Sequence, residues 1–468
     1  MRTFTLLING EQLPGDTTMP VYNPATGAVV TQAPRASRAQ LDLAVAAAKA
    51  AFPSWAATGI DARKRALQSI AEIVAENARE LASVLTTEHG KPLTDSNREI
   101  AATAAFFRFV SAMDLPTRVA TAGDGRSIHI ERRPLGPVAA IIPWNFPLLT
   151  VAFKVPFALL AGNTVVVKTA PTTPLTTLRF AELVAPLLPA GVLNVITDDD
   201  DLGDALTSHP DIRKVTFTGS TSTGQKVMAN AVATLKRLTL ELGGNDCAIV
   251  LRDANPVEIA PSLFQAAFYN NGQVCLAVKR LYVHDDIYDD LCNELAKLAD
   301  ATVVGDGTQD GVQLGPIQNA RQFAHLTNLL DQAREDGNVI AGGEVLDRPG
   351  YFIRPTIVRD ITDGSALVDR EQFGPILPVI AYSDLDEVIS RANSTDFGLG
   401  ASVWSADETR ALDVARRIDA GTVWVNKHAE LAPDIPFGGA KMSGLGTEFA
   451  EEGLIEFTQL KVISGTRA

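Results

Sequence analysis

Residues 134–168 read PLGPVAAIIPWNFPLLTVAFKVPFALLAGNTVVVK, the most apolar stretch of the chain. Pro137, Pro143, Pro147, Pro156 and Lys154 interrupt it. A membrane span needs about 20 largely uninterrupted apolar residues, so the better reading is a buried strand at 138–142, a buried helix, and a second strand at Thr164–Lys168. The run Thr-Val-Val-Val-Lys is what a strand covered on both faces looks like. Similar runs come at Leu193–Ile196 and Lys214–Thr218, with helix-compatible stretches between them. Alternating strand and helix predicts a parallel, doubly wound sheet. A second series begins after Gly243-Gly244, with candidate strands at 247–251, 281–284, 378–382, 401–404 and 422–426. The expected fold class is α/β, with two doubly wound parallel-sheet domains in tandem.

Upstream, residues 61–88 carry Leu67, Ile70, Val74, Leu81 and Leu85 on one stripe, a helical pattern stopped by Gly90-Lys91-Pro92. Residues 116–135 read as a polar hairpin turning at Gly123-Asp124-Gly125, and residues 456–465 as a strand. Asp198–Asp201 is an acidic run expected in a solvated loop. The 468 residues, 46% apolar and 21% charged, are ordinary globular composition with room for two or three domains. A net charge of -14 argues against nucleic acid or an anionic membrane as the main partner. Three sparse cysteines give no disulfide framework and fit a reducing, cytoplasmic setting, and six scattered histidines suggest no protein metal site.

Several residues have the chemistry for a reaction centre. Cys275, in Asn-Asn-Gly-Gln-Val-Cys, comes after a polar lead-in that suits an exposed turn, although a single cysteine is more often a small buried hydrophobe. Glu241 ends a candidate strand at the seam between the two series, where a carboxylate can face a cleft. Asn145, between the prolines of Pro143-Trp-Asn-Phe-Pro147, could present its amide to an oxyanion or simply make an Asx turn. No G-x-G-x-x-G occurs; the strand at 214–218 runs instead into Gly219-Ser-Thr-Ser-Thr-Gly224. That junction is either a phosphate-binding helix start or a serine-capped helix. Lys168 and Glu371 could each be solvated, or reach a ligand's hydroxyl and phosphate oxygens.

In order along the chain stand PWNFP (143–147), VVVK (165–168), FTGSTSTG (217–224), ELGG (241–244), NNGQVC (270–275), EQFGP (371–375) and PFGGAKMSG (436–444). At these spacings the chain resembles the aldehyde dehydrogenase superfamily over essentially its whole length. The resemblance implies a coenzyme-binding domain (1–115 and 136–243), a catalytic domain (244–444) and an oligomerisation element (116–135 and 445–468). It implies Cys275 as nucleophile, Glu241 as base, Asn145 in the oxyanion hole and Lys154 as a proton relay. It places NAD, with NADP possible, against Ile142, Pro143, Trp144, Lys168, Ala170, Pro171, Gly203, Phe217, Gly219, Ser220, Leu242, Glu371 and Phe373. The substrate funnel would be Phe146, Thr150, Phe153, Tyr269, Val274, Leu276, Leu431 and Phe437, a mostly apolar and aromatic lining that suits apolar or aromatic aldehydes. No metal is implied, and the assembly would be a homodimer or homotetramer.

Four positions depart from the pattern. Thr169 comes after VVVK where proline is frequent, Pro171 stands where many NAD enzymes place glutamate, Asn245 comes after ELGG where lysine is common, and Lys279 stands where Ser or Thr is usual. Alternatives within the class are a semialdehyde dehydrogenase and a CoA-acylating enzyme, the latter disfavoured because such enzymes generally lack the glutamate at 241. A non-redox cysteine hydrolase would want a histidine partner for the thiol, and no histidine lies within the motif set.

Overall fold

The structure, a computed structural model, describes residues 3–121 and 126–467. Two parallel-centred sheets carry the chain. In the first, the strands Leu193–Ile196, Thr164–Lys168, Pro137–Ile141, Lys214–Thr218 and Arg237–Glu241 lie side by side in that order. Chain order reverses between Pro137–Ile141 and Lys214–Thr218, which makes that junction the topological switch point. The expected strand at 138–142 begins and ends one residue earlier, because Ile142 is already past the pairing that joins Ile141 to Lys168.

The side-chain period of two divides each strand between two cores. Val165 and Val167 join one apolar cluster and Val166 the other; Val138 and Ala140 are likewise separated from Ala139 and Ile141. Each valine so buried stabilises the sheet by roughly 1.5–3 kcal/mol relative to exposure. Helix Pro147–Leu160 covers the first face, and its Lys154 is fully buried.

The second sheet orders Asn338–Ala341, Thr356–Arg359, Ile376–Tyr382, Arg280–His284, Cys247–Val250, Gly400–Trp404 and Thr422–Val425. All are parallel except the edge strand Asn338–Ala341. Cys247 and Ile249 face one core, Ala248 and Val250 the other. The chain leaves the first sheet at Glu241 and enters the second at Cys247, so the carboxyl edge of one sheet meets the amino edge of the other at this linker.

Some elements differ from the sequence reading. The stripe over 61–88 is two helices, Ile60–Glu76 and Ala78–His89, because Asn77 at φ -102 and ψ 16 interrupts the turn. Gly90 closes the second at φ 92, a left-handed cap that glycine takes without strain. The short strands Leu6–Ile8 and Glu11–Leu13 extend the first sheet antiparallel, their brevity hiding them from periodicity, and Thr17–Tyr22 pairs with Val29–Arg35. Strands Arg118–Thr121 and Arg126–Pro134 form the expected hairpin, with Thr458–Arg467 pairing along it. The expected turn at Gly123-Asp124-Gly125 lies outside the described residues. Among the described residues no helix is long and apolar enough to cross a membrane.

Candidate functional site

A cleft of about 1270 Å³ opens at the carboxyl edge of the first sheet, at the switch point. Ile142, Pro143, Trp144, Lys168, Ala170, Pro171, Gly203, Phe217, Gly219 and Ser220 line it, as expected from the motifs. Leu242, Glu371 and Phe373 are not among its walls; Phe373 packs edge-on against Trp144 at 5.4 Å. Ser220 caps helix Thr221–Ala231 by accepting from the Thr223 N–H, so the serine-cap reading holds, and the capped end faces the cleft. The buried hydroxyls of Thr172 and Thr218, both on residues lining the cleft, have no hydrogen-bond partner in the protein. A helix N-terminus, spare hydroxyls and a volume at the upper end for small-ligand sites fit a dinucleotide with its pyrophosphate.

Asp199, Asp200 and Asp201 stand exposed in a loop, as expected of the acidic run, but Asp198 does not. Asp198 is buried, accepts from the Leu202 N–H at 2.8 Å and sits 2.6 Å from Lys168 Nζ; Asp200 is 3.3 Å from the same ammonium. A buried lysine demands a counter-charge, and Asp198 supplies it, so this residue anchors the cleft rather than facing solvent.

The Cys275 loop is built by Asn-Asn-Gly. Asn270, Asn271 and Gly272 all have positive φ (52°, 61° and 70°), a conformation that asparagine and glycine tolerate best. A side chain at Gly272 would collide with the Gly374 carbonyl, so EQFGP packs directly on NNGQVC. Asn145 Nδ2 donates to the Gln273 carbonyl at 3.0 Å, which uses one amide hydrogen and leaves the other. The Asn145 carbonyl accepts from Lys91 Nζ (2.9 Å) and Asn270 Nδ2 (3.1 Å). Lys91 is buried against Glu99 at 2.6 Å, and Glu99 also accepts from the N–H groups of Leu148 and Leu149. This network fixes the PWNFP turn. Sequence reading saw in Gly90-Lys91-Pro92 only a helix stop, and nothing local pairs Lys91 with Glu99.

Cys275 is partly accessible, whereas Cys247 and Cys292 are buried. Burial pushes its thiol up to about 12; Lys279 opposes that, while Asp246, Glu371 and Glu241 add to it. Glu241 is buried, and neither carboxylate oxygen has a partner. Desolvation first, then Glu448, raises it well above the ordinary carboxylate range, and Lys154 pulls it back. Lys154 Nζ donates to Glu448 Oε1 (2.5 Å) and Thr216 Oγ1 (3.1 Å), all buried. Glu448 was not legible as a site residue because it lies beyond the last motif. Glu371 is tucked beneath the ELGG turn: it accepts from the Gly244 N–H at 3.1 Å, and a side chain at Gly243 would collide with it.

The expected funnel residues gather as an aromatic wall. Phe146 stacks on Tyr269 at 6.0 Å, Phe153 lies 4.6 Å edge-on from Phe449, and Phe437 stacks on Phe449 at 5.8 Å. Val274, Leu276 and Leu431 pack in the same cluster, and Thr150 is buried on helix Pro147–Leu160. Phe106 and Phe449 are additions; neither lies in a motif. His428 is turned inward, bonded to the Leu276 carbonyl and the Ser402 hydroxyl.

A partly exposed thiol, an unpaired carboxylate and a spare amide hydrogen converge beside a dinucleotide-sized cleft, which is equipment for acyl chemistry coupled to redox. Residues 12–463 match the family described as Aldehyde dehydrogenase family. The chain is 40% identical to phenylacetaldehyde dehydrogenase of Pseudomonas fluorescens, covering 97% of this chain and 94% of that one. It is 38% identical to a mitochondrial aldehyde dehydrogenase of Leishmania tarentolae, over 98% of this chain and 94% of that protein. The crystal structure of the NAD+ complex of an aldehyde dehydrogenase from Bacillus cereus superposes with a TM-score of 0.97 at 35% identity, covering 99% of this chain and 96% of that one. The site, the pair of doubly wound sheets and these likenesses over nearly the whole length agree, and the chain belongs to the aldehyde dehydrogenase family.

Proposed function

We propose that this enzyme oxidises apolar or aromatic aldehydes to carboxylic acids with NAD+, through a covalent intermediate on Cys275. The observation that carries the proposal is the convergence of the Cys275 thiol, the unpaired Glu241 carboxylate and the Asn145 amide at the junction of the two sheets.

An aldehyde cannot release hydride until a nucleophile makes its carbon tetrahedral. The Cys275 sulfur gives up its proton to water and adds to the carbonyl carbon, and the free Asn145 Nδ2 hydrogen, with the Cys275 backbone N–H, holds the oxygen as it becomes an anion. The nicotinamide, when bound, supplies the hydride acceptor. The residues lining the cleft, from Ile142 to Ser220, would hold that cofactor, with the pyrophosphate near Gly219 and Ser220. Glu371 would reach the ribose and Phe373 would pack near the nicotinamide, while Leu242 would lie beside them. The acyl group left on Cys275 is a thioester. Glu241, a stronger base than an ordinary carboxylate because burial raises its proton affinity, takes a proton from water in its ionised form as that water attacks the thioester carbon. Lys154 and Glu448, paired beside it, would carry the proton onward.

The aromatic wall supports the substrate reading: a distal carboxylate would be desolvated there without a partner. The phenylacetaldehyde dehydrogenase relative is consistent with it. Pro171 carries no charge to repel a 2′-phosphate, and Lys168 is engaged by Asp198 and Asp200, so we expect NAD+ to be used with weaker NADP+ turnover. The proposal includes a coenzyme-binding part at 1–115 and 136–243, a catalytic part at 244–444 and an oligomerisation element at 116–135 and 445–468. Exposed Val119, Leu460, Val462 and Ile463 on the three-stranded sheet support a homodimer or homotetramer that covers them. The test is incubation with phenylacetaldehyde, hexanal and succinic semialdehyde. NADH together with free acid, formed without CoA and with higher kcat/KM for the first two, is the expected result. A CoA requirement or a preference for the semialdehyde would overturn the reading.

A further inference from the structure

Two departures from the family pattern meet behind Cys275. Asn245, where lysine is common, turns its amide away to the Val368 carbonyl at 2.8 Å. Lys279, where Ser or Thr is usual, is 1% exposed, and its Nζ donates to the Cys275 carbonyl at 2.5 Å. The same ammonium lies 3.7 Å from Glu371 Oε1. One lysine has gone from this region and another has entered it from a different segment of the chain.

The surrounding charges make that exchange consequential. Asp246, Glu371 and Glu241 all oppose ionisation of the Cys275 thiol, and Lys279 favours it. Burial pushes the Asp246 carboxyl up to about 7, with Lys279 opposing. Other cations nearby are committed elsewhere. Arg280 donates to the Asn245 and Ala392 carbonyls. Lys154 is paired with Glu448. His428 lies 4.0 Å from Asp246 but is bonded to Leu276, and burial holds it down to about 4, so it is neutral at physiological pH.

We propose that Lys279 is an activating, positioning residue for Cys275: its buried ammonium grips the backbone carbonyl of the nucleophile and supplies the positive field a thiolate needs among three carboxylates. The proposal deepens the reading of Cys275 as nucleophile and rests on it. A buried unit charge a few ångströms away shifts an ionisation by about one pH unit or more, and the thiolate is the reactive form.

The test is alkylation of the full-length protein by iodoacetamide across pH, with modification of Cys275 read by peptide mass spectrometry. Lys279→Gln is one atom shorter than lysine, keeps an N–H donor that can face the Cys275 carbonyl, and removes the charge. Its alkylation midpoint should move up by about one pH unit, with Cys275 reacting about tenfold slower near neutrality. Lys279→Arg should stay close to wild type, and Asp246→Asn should move the midpoint down. If Lys279→Gln does not fold, the double variant Asp246→Asn/Lys279→Gln, which loses one charge of each sign, is compared with Asp246→Asn and should show the same upward move. A midpoint unchanged by loss of the lysine charge, whatever happens to the rate, overturns the proposal. Because alkylation reports the thiol and not turnover, a Cys275→Ala variant that kept dehydrogenase activity would sink the nucleophile reading separately.

Discussion

The dinucleotide-sized cleft and the pocket around Cys275 adjoin one another and are built on opposite rules. In the cleft, charge is compensated: Lys168 lies between Asp198 and Asp200, and the helix start is capped by Ser220. The polar groups left without a protein partner there are neutral hydroxyls, those of Thr172 and Thr218. In the pocket, charge is buried without full compensation. Glu241 has two unpaired oxygens, and both it and Cys275 are pushed toward their protonated forms. A binding surface gains from being satisfied before its ligand arrives. A reaction centre holds groups whose proton affinity burial has shifted, so that a neighbouring charge or a bound substrate changes their ionisation strongly. Substitutions in the pocket should therefore be felt in kcat by orders of magnitude, and substitutions in the cleft as modest changes in cofactor KM.

The largest effect belongs to Cys275→Ala, which should lower aldehyde oxidation by about 10⁵-fold or more while NAD+ titration by calorimetry stays close to wild type. Loss of cofactor binding in that variant would erase the division between the two regions. Glu241→Gln should leave the first half-reaction intact: one equivalent of NADH in a burst, then steady turnover reduced by about 10²–10⁴-fold. Stopped-flow absorbance separates the two phases, and a missing burst in a folded protein would move Glu241 into thiol activation. Asn145→Ala removes one oxyanion donor and should cost about 10²–10³-fold in kcat with little change in substrate KM. An effect on KM alone would mean that Asn145 only shapes the turn. The smallest effect is expected in the cleft. Pro171→Glu adds a carboxylate to a wall that already holds Asp199, Asp200 and Asp201. It should depress kcat/KM for NADP+ by about 2–10-fold more than for NAD+, as expected for a partly screened charge. Equal effects on both cofactors would show that the ion pair at Lys168, not position 171, sets the choice.

The same contrast governs what could be read from the chain. The central strands of both sheets were legible because their apolar runs are fully buried; the edge strands Leu6–Ile8 and Glu11–Leu13, three residues each, and the pair Asn338–Ala341 and Thr356–Arg359, four residues each, were not, since so few residues carry little period. The family resemblance pointed to ten of the residues that line the cleft, but not to residues 318–322 or Tyr351, which only the fold brings there. Asp198 was misread for the same reason: in sequence it is one of four acidic residues, and only the approach of Lys168 from another strand makes it a buried counter-ion.

By itself the sequence determined the alternation of strand and helix and the ordered motifs that mark the family, and it named a thiol, a carboxylate and an amide as candidates. These come from short-range pattern and from residue chemistry. Tertiary structure alone decided that Lys91 and Glu99 fix the Asn145 turn, that Glu448 and Lys154 flank Glu241, that Phe106 and Phe449 complete the aromatic wall, and that Lys279 points at the Cys275 carbonyl. Charges in a low-dielectric interior act on whatever the fold brings within a few ångströms, whatever their separation along the chain, so their partners appear only when the two sheets are assembled.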